Sequence, residues 1–337
     1  MGIIDDILQF ESLSIVGLEK NTGKTECLKY VLERLPLEHK RIAVTSIGID
    51  GETTDQVTRT QKPEITLRPG MYFGTSEMHY RQRRLVSELI DVSDVTTSLG
   101  RVVTARALTQ GKILLSGPSS APALRHWMSD MKRLGIDLVI IDGALSRLSS
   151  ASPAVSQSMI LATGAAYSAN LTTLVNKTAF VVELINLPLC DDVLRERLMP
   201  LDRGVWALDR DGTLRELDHV SALSQDLRFD GIDQCETLYV AGALVDSFVE
   251  KVRKNRALRQ VELVVRDFTK VFATPQQVHL FKKSGGRMSV LQRSHLLAVT
   301  VNPTSPSGYV LDSRQLCARL SEAIALPVYD LMAMDNS

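Results

Sequence analysis

A loop bounded by two glycines, between an apolar run and a helical pattern, is the feature that most constrains this chain. The loop is Gly17–Thr25 (GLEKNTGKT); the apolar run Leu13–Val16 precedes it, and a helical pattern follows from about Lys24 to Leu35. Glycine allows the backbone to wrap closely enough for successive N–H groups to point at one anion. The helix adds its N-terminal dipole and its unpaired amides. Strand, loop and helix in this order favour an α/β fold with an anion site at the end of a strand.

The loop residues have the pattern of a P-loop, the phosphate-binding motif of nucleoside triphosphatases. Lys24 can reach the β- and γ-phosphates as a point charge, and the Thr25 hydroxyl can bind a magnesium ion. Five residues separate Gly17 from Gly23, one more than in the commonest pattern, and Lys20 can add a second positive charge. Glu26 stands where many P-loops carry Thr or Ser, so its charge can modify the metal site. The residues predicted to contact ATP are Gly17, Lys20, Asn21, Thr22, Gly23, Lys24, Thr25 and Glu26.

Two acidic segments are candidates for serving the magnesium ion. Asp142 closes the apolar strand LVIID, where it would share a sheet edge with the loop. Asp50 and Glu52 follow the predicted strand Arg41–Ile47, and the loop after this strand often faces the γ-phosphate in this fold class. Alternatives remain open, because a strand-ending aspartate can cap the next segment and Asp50-Gly51 can form a plain turn. The predicted metal ligands are Thr25, Asp142 and Glu52, and the predicted catalytic residues are Lys24, Asp142 and Asp50.

Apolar β-branched runs alternate with helical patterns along most of the chain, which is typical of a parallel sheet covered on both faces. The helical pattern of residues 121–134 ends at Gly135, a favourable residue for a helix end. Asp211-Gly212, between two alternating runs, predicts a hairpin within Val205–Leu217. We therefore predict an α/β fold: a doubly wound, mostly parallel P-loop NTPase domain over residues 1–200, a hairpin-containing connection over 201–235, and a second, smaller α/β lobe over 236–337.

Charge and cysteine content narrow the class of protein. Lys plus Arg and Asp plus Glu both number 39, so the net charge is zero and no global field attracts nucleic acid or a membrane. The densest basic cluster, Arg81–Arg84, is interpreted as a solvated helix face. The four cysteines have neither zinc-site nor disulfide spacing. Since no signal peptide or long apolar run is present, we expect a cytoplasmic protein that binds neither nucleic acid nor a membrane.

Three weaker features each allow two interpretations. Ser116–Ser120 (SGPSS) lies between a predicted strand and a predicted helix, so its amides can bind an anion or form a structural turn. Thr163-Gly164 can line a nucleotide pocket or start a helix. Asn302, before Pro303, can contact a base or serve as a turn residue.

Several segments together resemble those of a known family. They are GLEKNTGKT with TSIGIDGE behind it, RPGMYFGT, LGRVVTARAL with ILLSGPSS, LVIIDGALSRLSSASP with ILATGAA, and NPTSPSGY. In arrangement they are similar to the P-loop reactivase subunit associated with lysine 5,6-aminomutase, and the longer loop resembles that of dethiobiotin synthetase in the deviant-Walker branch. The resemblance spans most of the chain. Gly23, Lys24, Thr25 and Asp142 match its motifs, whereas Glu19 stands where MinD-like ATPases have their signature lysine.

The resemblance implies ATP and Mg²⁺ as cofactors and a reactivating role, in which ATP drives the release of damaged cobalamin from an inactivated aminomutase. The implied partners are that mutase, a second reactivase subunit or, by analogy with related proteins, a second copy of the chain in a homodimer. Two alternatives remain. A dethiobiotin-synthetase-like ligase or kinase would phosphorylate a small carboxylate or amine substrate. A nucleotide-dependent scaffold would bind the nucleotide with little turnover.

Overall fold

The chain forms two compact units, one of which is an insertion in the sequence of the other. The computed structural model describes residues 2–47, 63–144, 155–217, 229 and 232–334. The first unit contains Met1–Ala179 and Ser294–Ser337, and the second contains Phe180–Arg293. The chain therefore leaves the first unit, forms the second, and returns to complete the first.

A large, mostly parallel sheet is the centre of the first unit. From one edge to the other, its described strands are β16 (Val328–Tyr329), β15 (His295–Asn302), β9 (Ser158–Gly164), β1 (Ser12–Gly17), β8 (Leu138–Ala144), β2 (Ile42–Ser46), β4 (Tyr72–Ser76), β6 (Gly100–Ala107) and β5 (Ser87–Thr97). Every pairing from β16 to β4 is parallel, and β6 runs antiparallel to both of its neighbours. A separate antiparallel ribbon joins β3 (Ile65–Leu67) to β7 (Gly111–Ile113). The predicted α/β class with a mostly parallel sheet is confirmed.

Helices cover both faces of this sheet. In the first unit they are α1 (Ile3–Ile7), α2 (Lys24–Arg34), α3 (Glu77–Arg81), α4 (Ala121–Arg133), α9 (Ser313–Ile324) and α10 (Leu331–Met334), and α5 (Leu171–Ile185) begins there. On β8, Ile140 packs in one buried cluster with Leu28 of α2, whereas Ile141 packs in another with Leu124 of α4. Because neighbouring strand residues point to opposite faces, α2 and α4 lie on opposite sides of the sheet. This explains why β1, β2 and β9 are buried along their whole length and are mostly apolar.

Helix α4 begins and ends where the sequence predicts. The Ser120 hydroxyl accepts a hydrogen bond from the Ala123 N–H (3.3 Å), and Pro122 lies in the first turn. Gly135, just beyond the helix, has a φ of 73°, a left-handed conformation that glycine adopts without steric cost. Local capping chemistry is therefore sufficient to set the bounds of this helix.

The second unit has a sheet of its own. The order of its described strands is β11 (Leu214–Glu216), β10 (Val205–Asp209), β12 (Cys235–Val240), β13 (Glu262–Val265) and β14 (Arg287–Val290), and its helices are α6 (Asp192–Leu198), α7 (Asp246–Lys254) and α8 (Pro275–Lys283). β12, β13 and β14 pair in parallel, while β10 and β11 form an antiparallel hairpin. The hairpin predicted from Asp211-Gly212 is confirmed.

Glu183, near the end of α5, joins that helix to α8 within the second unit. Its carboxylate accepts hydrogen bonds from the Lys282 ammonium (2.6 Å) and from a His279 ring nitrogen (3.0 Å). Burial alone would raise the pKa of this carboxyl, but the hydrogen bonds from Lys282 and His279 outweigh it and lower the pKa. The second unit is therefore stabilised by side-chain hydrogen bonds between α5 and α8 as well as by its own sheet.

The division into units differs from the predicted domain ranges. β15, α9 and β16 fall within the expected lobe of residues 236–337, but they belong to the first unit. β15 pairs with β9 from His295, opposite Ser158, to Asn302, opposite Gly164. The second unit begins at Phe180, before the expected boundary at residue 200. The physical reason is that strand pairing between distant segments, rather than sequence order, decides which sheet a strand joins.

Candidate functional site

The Gly17–Thr25 loop lies at the carboxyl edge of the sheet of the first unit. β1 ends at Gly17, between β9 and β8, and all three strands run parallel. The Leu18 N–H donates to the Ala162 carbonyl of β9 (2.9 Å), so the loop leaves the sheet beside that strand. Open α/β sheets bind their ligands at this edge, where the carboxyl ends of the strands meet.

Two residues of the loop have left-handed backbone conformations. Asn21 has a φ of 62° and Gly23 a φ of 88°. Thr22 is buried between them, and its hydroxyl donates to the Glu19 carbonyl (2.8 Å). At Gly17, an added Cβ would lie 2.8 Å from the Thr22 hydroxyl oxygen, which is too close for a side chain. Both predicted glycines thus stand where a side chain would strain or block the loop.

Lys24 and Asp142 form an ion pair at this edge. The Lys24 Nζ lies 2.8 Å from the Asp142 Oδ1, and the exposed fractions of the two side chains are 25% and 12%. Asp142 is on β8, opposite Ile15 of β1 and Ser46 of β2. Its Oδ1 accepts no well-directed hydrogen bond from the described residues, so the charge of the lysine compensates for its burial. The structure thus brings together two residues that the sequence predicted for one site.

The other residues expected near the metal are only partly described. Thr25 and Glu26 lie in the first turn of α2, directly after Lys24. The Glu26 carboxylate accepts a hydrogen bond from the Lys29 ammonium (2.9 Å), so its charge is paired along the helix surface. Asp50 and Glu52 lie outside the described residues.

The tip of the loop is exposed and carries Glu19 and Lys20. The backbone N–H of Lys20 donates to the Glu19 carboxylate (3.0 Å). Burial, and then the charge of Glu19, raises the pKa of the Tyr167 hydroxyl, so this phenol stays neutral at physiological pH. The ammonium of Lys177 lies 5.0 Å from the centre of the Tyr167 ring. Tyr167 is therefore close enough to the loop to sense the charge of Glu19, and Lys177 lies against its ring, contacts that sequence reasoning missed.

Asn302, at the end of β15, contacts the loop directly. Its Nδ2 donates to the Asn21 carbonyl (3.0 Å), and its Oδ1 accepts from the Thr304 N–H (3.0 Å). Its Cβ lies 3.0 Å from the position that a Cβ on Gly23 would occupy. Sequence reasoning missed this contact because 281 positions separate Asn302 from Asn21. The Asn-Pro pair at the end of a strand is visible in the sequence, but only the order of the strands in the sheet shows that Asn302 meets the Gly17–Thr25 loop.

Buried hydroxyl groups occupy the same edge at the ends of β2 and β4. The Ser116 Oγ lies 2.7 Å from the Ser76 Oγ and 2.6 Å from the His79 Nδ1. The Ser46 hydroxyl donates to the Leu115 carbonyl (2.9 Å). None of these four polar side chains belongs to a residue more than 2% exposed. The segment 116–120 is thus fixed to the sheet by internal hydrogen bonds and caps α4, which agrees with the structural-turn interpretation.

A cavity of about 450 Å³ opens between the N-terminal ends of α5 and α9. Asn170 and Asp312, which line it, accept hydrogen bonds from Thr173 and Gln315 N–H groups and so cap the two helices. The exposed ring of Tyr309 forms part of the rim. These helices follow β9 and β15, so the cavity lies at the same edge of the sheet as the loop.

The basic cluster of residues 81–84 is engaged within the chain. Arg81 pairs with Glu77 (2.5 Å), and Arg84 pairs with Glu64 (3.6 Å). The guanidinium of Arg83 lies 4.0 Å from the centre of an aromatic ring of α3. The three arginines therefore take part in intramolecular contacts, but only Arg81 lies in a helix, because α3 ends there. The prediction of a helix face is wrong for Arg83 and Arg84, and Arg84 instead forms a β-bridge with Lys112.

The described residues contain neither a metal-ligand cluster nor a membrane-crossing helix. No group of three or more His, Cys, Asp or Glu side chains gathers in them. No helix among them has both the length and the apolar character that a bilayer requires. All four cysteines are free thiols, and burial raises the pKa of Cys27, in α2, to about 12. Cys27 therefore stays protonated at neutral pH and acts as a small apolar core residue.

No protein-family model, curated protein or solved structure matches this chain. A functional assignment therefore depends on the geometry of the site and on the sequence resemblance given above.

Proposed function

We propose that this protein binds a nucleoside triphosphate with Mg²⁺ at the Gly17–Thr25 loop, as a P-loop protein, and hydrolyses it to switch between two states. The observation that carries the proposal is the ion pair between Lys24 and Asp142 at the end of a glycine-bounded loop (2.8 Å). Lys24 also begins α2, whose N-terminal amides and dipole attract an anion. A lysine for the phosphates and an aspartate for the metal, at neighbouring strand ends, are central parts of a phosphoryl-transfer site.

The residues at this edge fit a magnesium ion that is held jointly with the nucleotide. In such sites Mg²⁺ takes only one or two protein ligands, and phosphate oxygens and water fill the other positions. Asp142 offers a partly buried carboxylate oxygen that already lies beside a cation, and Thr25 offers a hydroxyl directly after Lys24. The ion would neutralise charge on the β- and γ-phosphates.

We favour a switch that acts on a partner protein over a ligase or kinase of a small molecule. The described hydroxyls at the ends of β2 and β4 are buried and hydrogen-bonded, so they offer no polar surface to a small substrate. The inserted second unit has its own sheet and provides a body on which a partner can bind. Together with the sequence resemblance, these features support an ATP-dependent reactivating role on a cobalamin-dependent aminomutase.

Lys24→Ala tests the nucleotide site. Removing the ammonium should weaken Mg·ATP binding on the order of ten- to a hundredfold, because a charge-assisted contact to phosphate is lost. Isothermal titration calorimetry would measure this, and release of inorganic phosphate would measure turnover. Lys254→Ala, which removes a surface lysine paired with Glu250 on α7 (2.6 Å), is the control and should bind as the parent does. Equal affinity in parent and Lys24→Ala proteins would sink the assignment.

The partner question needs a separate experiment. Phosphate release would be measured alone, with an inactivated cobalamin-dependent aminomutase, and with small carboxylates and amines. Stimulation by the mutase supports the reactivating switch, and consumption of ATP in proportion to a small acid or amine supports the ligase. Tight binding without turnover under every condition supports a scaffold.

A further inference from the structure

We propose that Asn302 is a positioning residue that fixes the orientation of the peptide group between Asn21 and Thr22. The inference rests on the proposed nucleotide-binding function and deepens it, because it names what holds the loop in a binding-ready shape. Asn302 follows the inserted second unit in the sequence, whereas the loop precedes it. The residue therefore acts through the loop and need not touch the nucleotide.

The neighbours of Asn302 leave one orientation for its side-chain amide. The Asn21 carbonyl can only accept a hydrogen bond and the Thr304 N–H can only donate one. The Nδ2 must therefore face Asn21, and the Oδ1 must face Thr304. The Asn302 main-chain carbonyl is also engaged, because it accepts from the Ala165 N–H (2.9 Å).

The backbone leaves Asn302 little room to move. A Cβ on Gly164 would lie 2.1 Å from the Asn302 carbonyl oxygen, and a Cβ on Gly23 would lie 3.0 Å from the Asn302 Cβ. Two glycines, one on β9 and one in the loop, thus allow the end of β15 to approach closely. The bond to Asn21 is therefore formed from a main-chain position that lies against both glycines.

This bond determines the direction of an amide. A trans peptide group is planar, so its carbonyl and its N–H point in opposite directions. While Asn302 holds the Asn21 carbonyl, the N–H of Thr22 must point away from Asn302. A loop with left-handed residues, such as Asn21 with a φ of 62°, can present successive N–H groups to an anion. A flip of this peptide would replace a donor by a carbonyl oxygen and repel a phosphate.

The same contacts argue against the base contact that the sequence suggested for Asn302. Both polar atoms of its side chain are already used, the Nδ2 by Asn21 and the Oδ1 by Thr304. A base could gain a hydrogen bond from this residue only if one of these were broken. A positioning role therefore explains the observed geometry better than base recognition does.

The test compares Asn302→Asp, Asn302→Ala and the control Ser305→Ala with the parent, using Mg·ATP, Mg·GTP and Mg·tripolyphosphate as probes. Asn302→Asp keeps the shape and the acceptor for Thr304 but sets a carboxylate oxygen against the Asn21 carbonyl. We expect it to bind all three probes roughly tenfold more weakly, by a similar factor for each, because all three share the phosphates that the loop binds. Tripolyphosphate has no base, so a contact with the nucleoside would leave its binding unchanged. Asn302→Ala removes the donor without adding repulsion and should lose less. Ser305→Ala should match the parent.

Thermal unfolding midpoints of the same proteins keep the test independent of folding. A loss of affinity that follows the order Asp, Ala, control, in variants whose midpoints all lie well above the assay temperature, supports the positioning role. Unchanged affinity in Asn302→Asp for all probes overturns it. Weaker ATP and GTP binding with unchanged tripolyphosphate binding also overturns it, because that pattern identifies a nucleoside contact. If the parent binds none of the three probes, the proposed function fails and this inference fails with it.

Discussion

At the scale of single residues, the charge of Asp142 is compensated by Lys24, and a bound nucleotide would change that pairing. If Lys24 moves to the phosphates, Asp142 is left partly buried with an uncompensated charge, which costs on the order of 1–3 kcal/mol. A magnesium ion would remove this cost by replacing the ammonium. Nucleotide and metal should therefore bind cooperatively through this one carboxylate.

Asp142→Asn should uncouple nucleotide binding from metal binding. In EDTA, where no metal compensates the carboxylate, the variant should bind ATP roughly tenfold more tightly than the parent, because moving Lys24 no longer leaves a charge behind. In Mg²⁺ it should gain little further affinity, whereas the parent should gain much. Calorimetric titrations with ATP in the two buffers measure both effects.

Asp137→Asn is the matched control for this experiment. It makes the same charge change next to β8, but there the carboxylate accepts a hydrogen bond from the Arg41 N–H (2.8 Å), and an amide oxygen can do the same. The control should keep the magnesium dependence of the parent. If Asp142→Asn also keeps the magnesium dependence of the parent, the hypothesis that a metal ion replaces Lys24 beside Asp142 is wrong.

Residues of the site differ in how far the sequence alone could predict them. Gly17, Gly23 and Lys24 are recognisable because their spacing is local and each has a chemical reason. Asp142 is recognisable because it ends an apolar strand. Asn302 could not be assigned its contact with the loop, because that contact exists only when β15 lies next to β9 in the sheet.

At the scale of elements, the turn from β1 into α2 depends on a glycine under two constraints. Gly23 has a φ of 88°, which disfavours any residue with a side chain, and it also lies against Asn302. Gly70 has nearly the same φ, 90°, but no atom lies within 4 Å of where its Cβ would be. A comparison of the two positions therefore separates the free-energy cost of a left-handed backbone from the cost of the contact with Asn302.

Gly23→Ala should therefore destabilise the protein more than Gly70→Ala. A left-handed alanine costs about 1 kcal/mol at either position. At Gly23 the 3.0 Å approach to Asn302 adds a further cost of about 1 kcal/mol. Urea unfolding gives the free energies of unfolding of both variants and the parent. Equal losses in the two variants would show that the contact with Asn302 is loose.

The prediction of strands from the sequence failed toward the β5 edge of the large sheet. β8, with its apolar run Leu138–Ile141, was expected, as was α4 with Gly135 at its end. β4 and β5 were not expected. β5 contains Glu88, Asp91 and Asp94 and pairs only with β6 among the described strands, so it lacks the continuous apolar pattern of a central strand. Its pairing is also interrupted by two shifts in register, which blur the alternation further.

At the scale of the whole molecule, the sequence predicted an α/β protein with a second lobe but not the insertion. The runs that form β15 and β16 resemble those of β12 and β13, since each is short, apolar and rich in β-branched residues. Local patterns predict that such a segment is a strand, and they do not predict the sheet that it joins. The boundary was therefore expected where the α/β rhythm is interrupted near residue 200, while the units divide at Phe180 and Ser294.

The second unit should fold on its own. The fragment Phe180–Arg293 contains a complete sheet, a buried core around Tyr239 and Val264, and the contacts of Glu183 with α8. When it is expressed alone, we expect cooperative urea unfolding and dispersed amide signals in NMR spectra. A fragment that ends at Lys254 lacks β13 and β14 and serves as the control, which should remain unfolded. A non-cooperative profile for the longer fragment would contradict the division into units.

The placement of Asn302 also has a consequence for the timing of synthesis. The ribosome adds Asn302 281 positions after Asn21, once the whole second unit has been made. Until then the loop after β1 lacks both the amide that holds it and the neighbouring strand that carries this amide. An unfinished or prematurely terminated chain would therefore have the loop residues without the contact from Asn302, and under the proposed function we expect it to bind nucleotide more weakly than the full chain does.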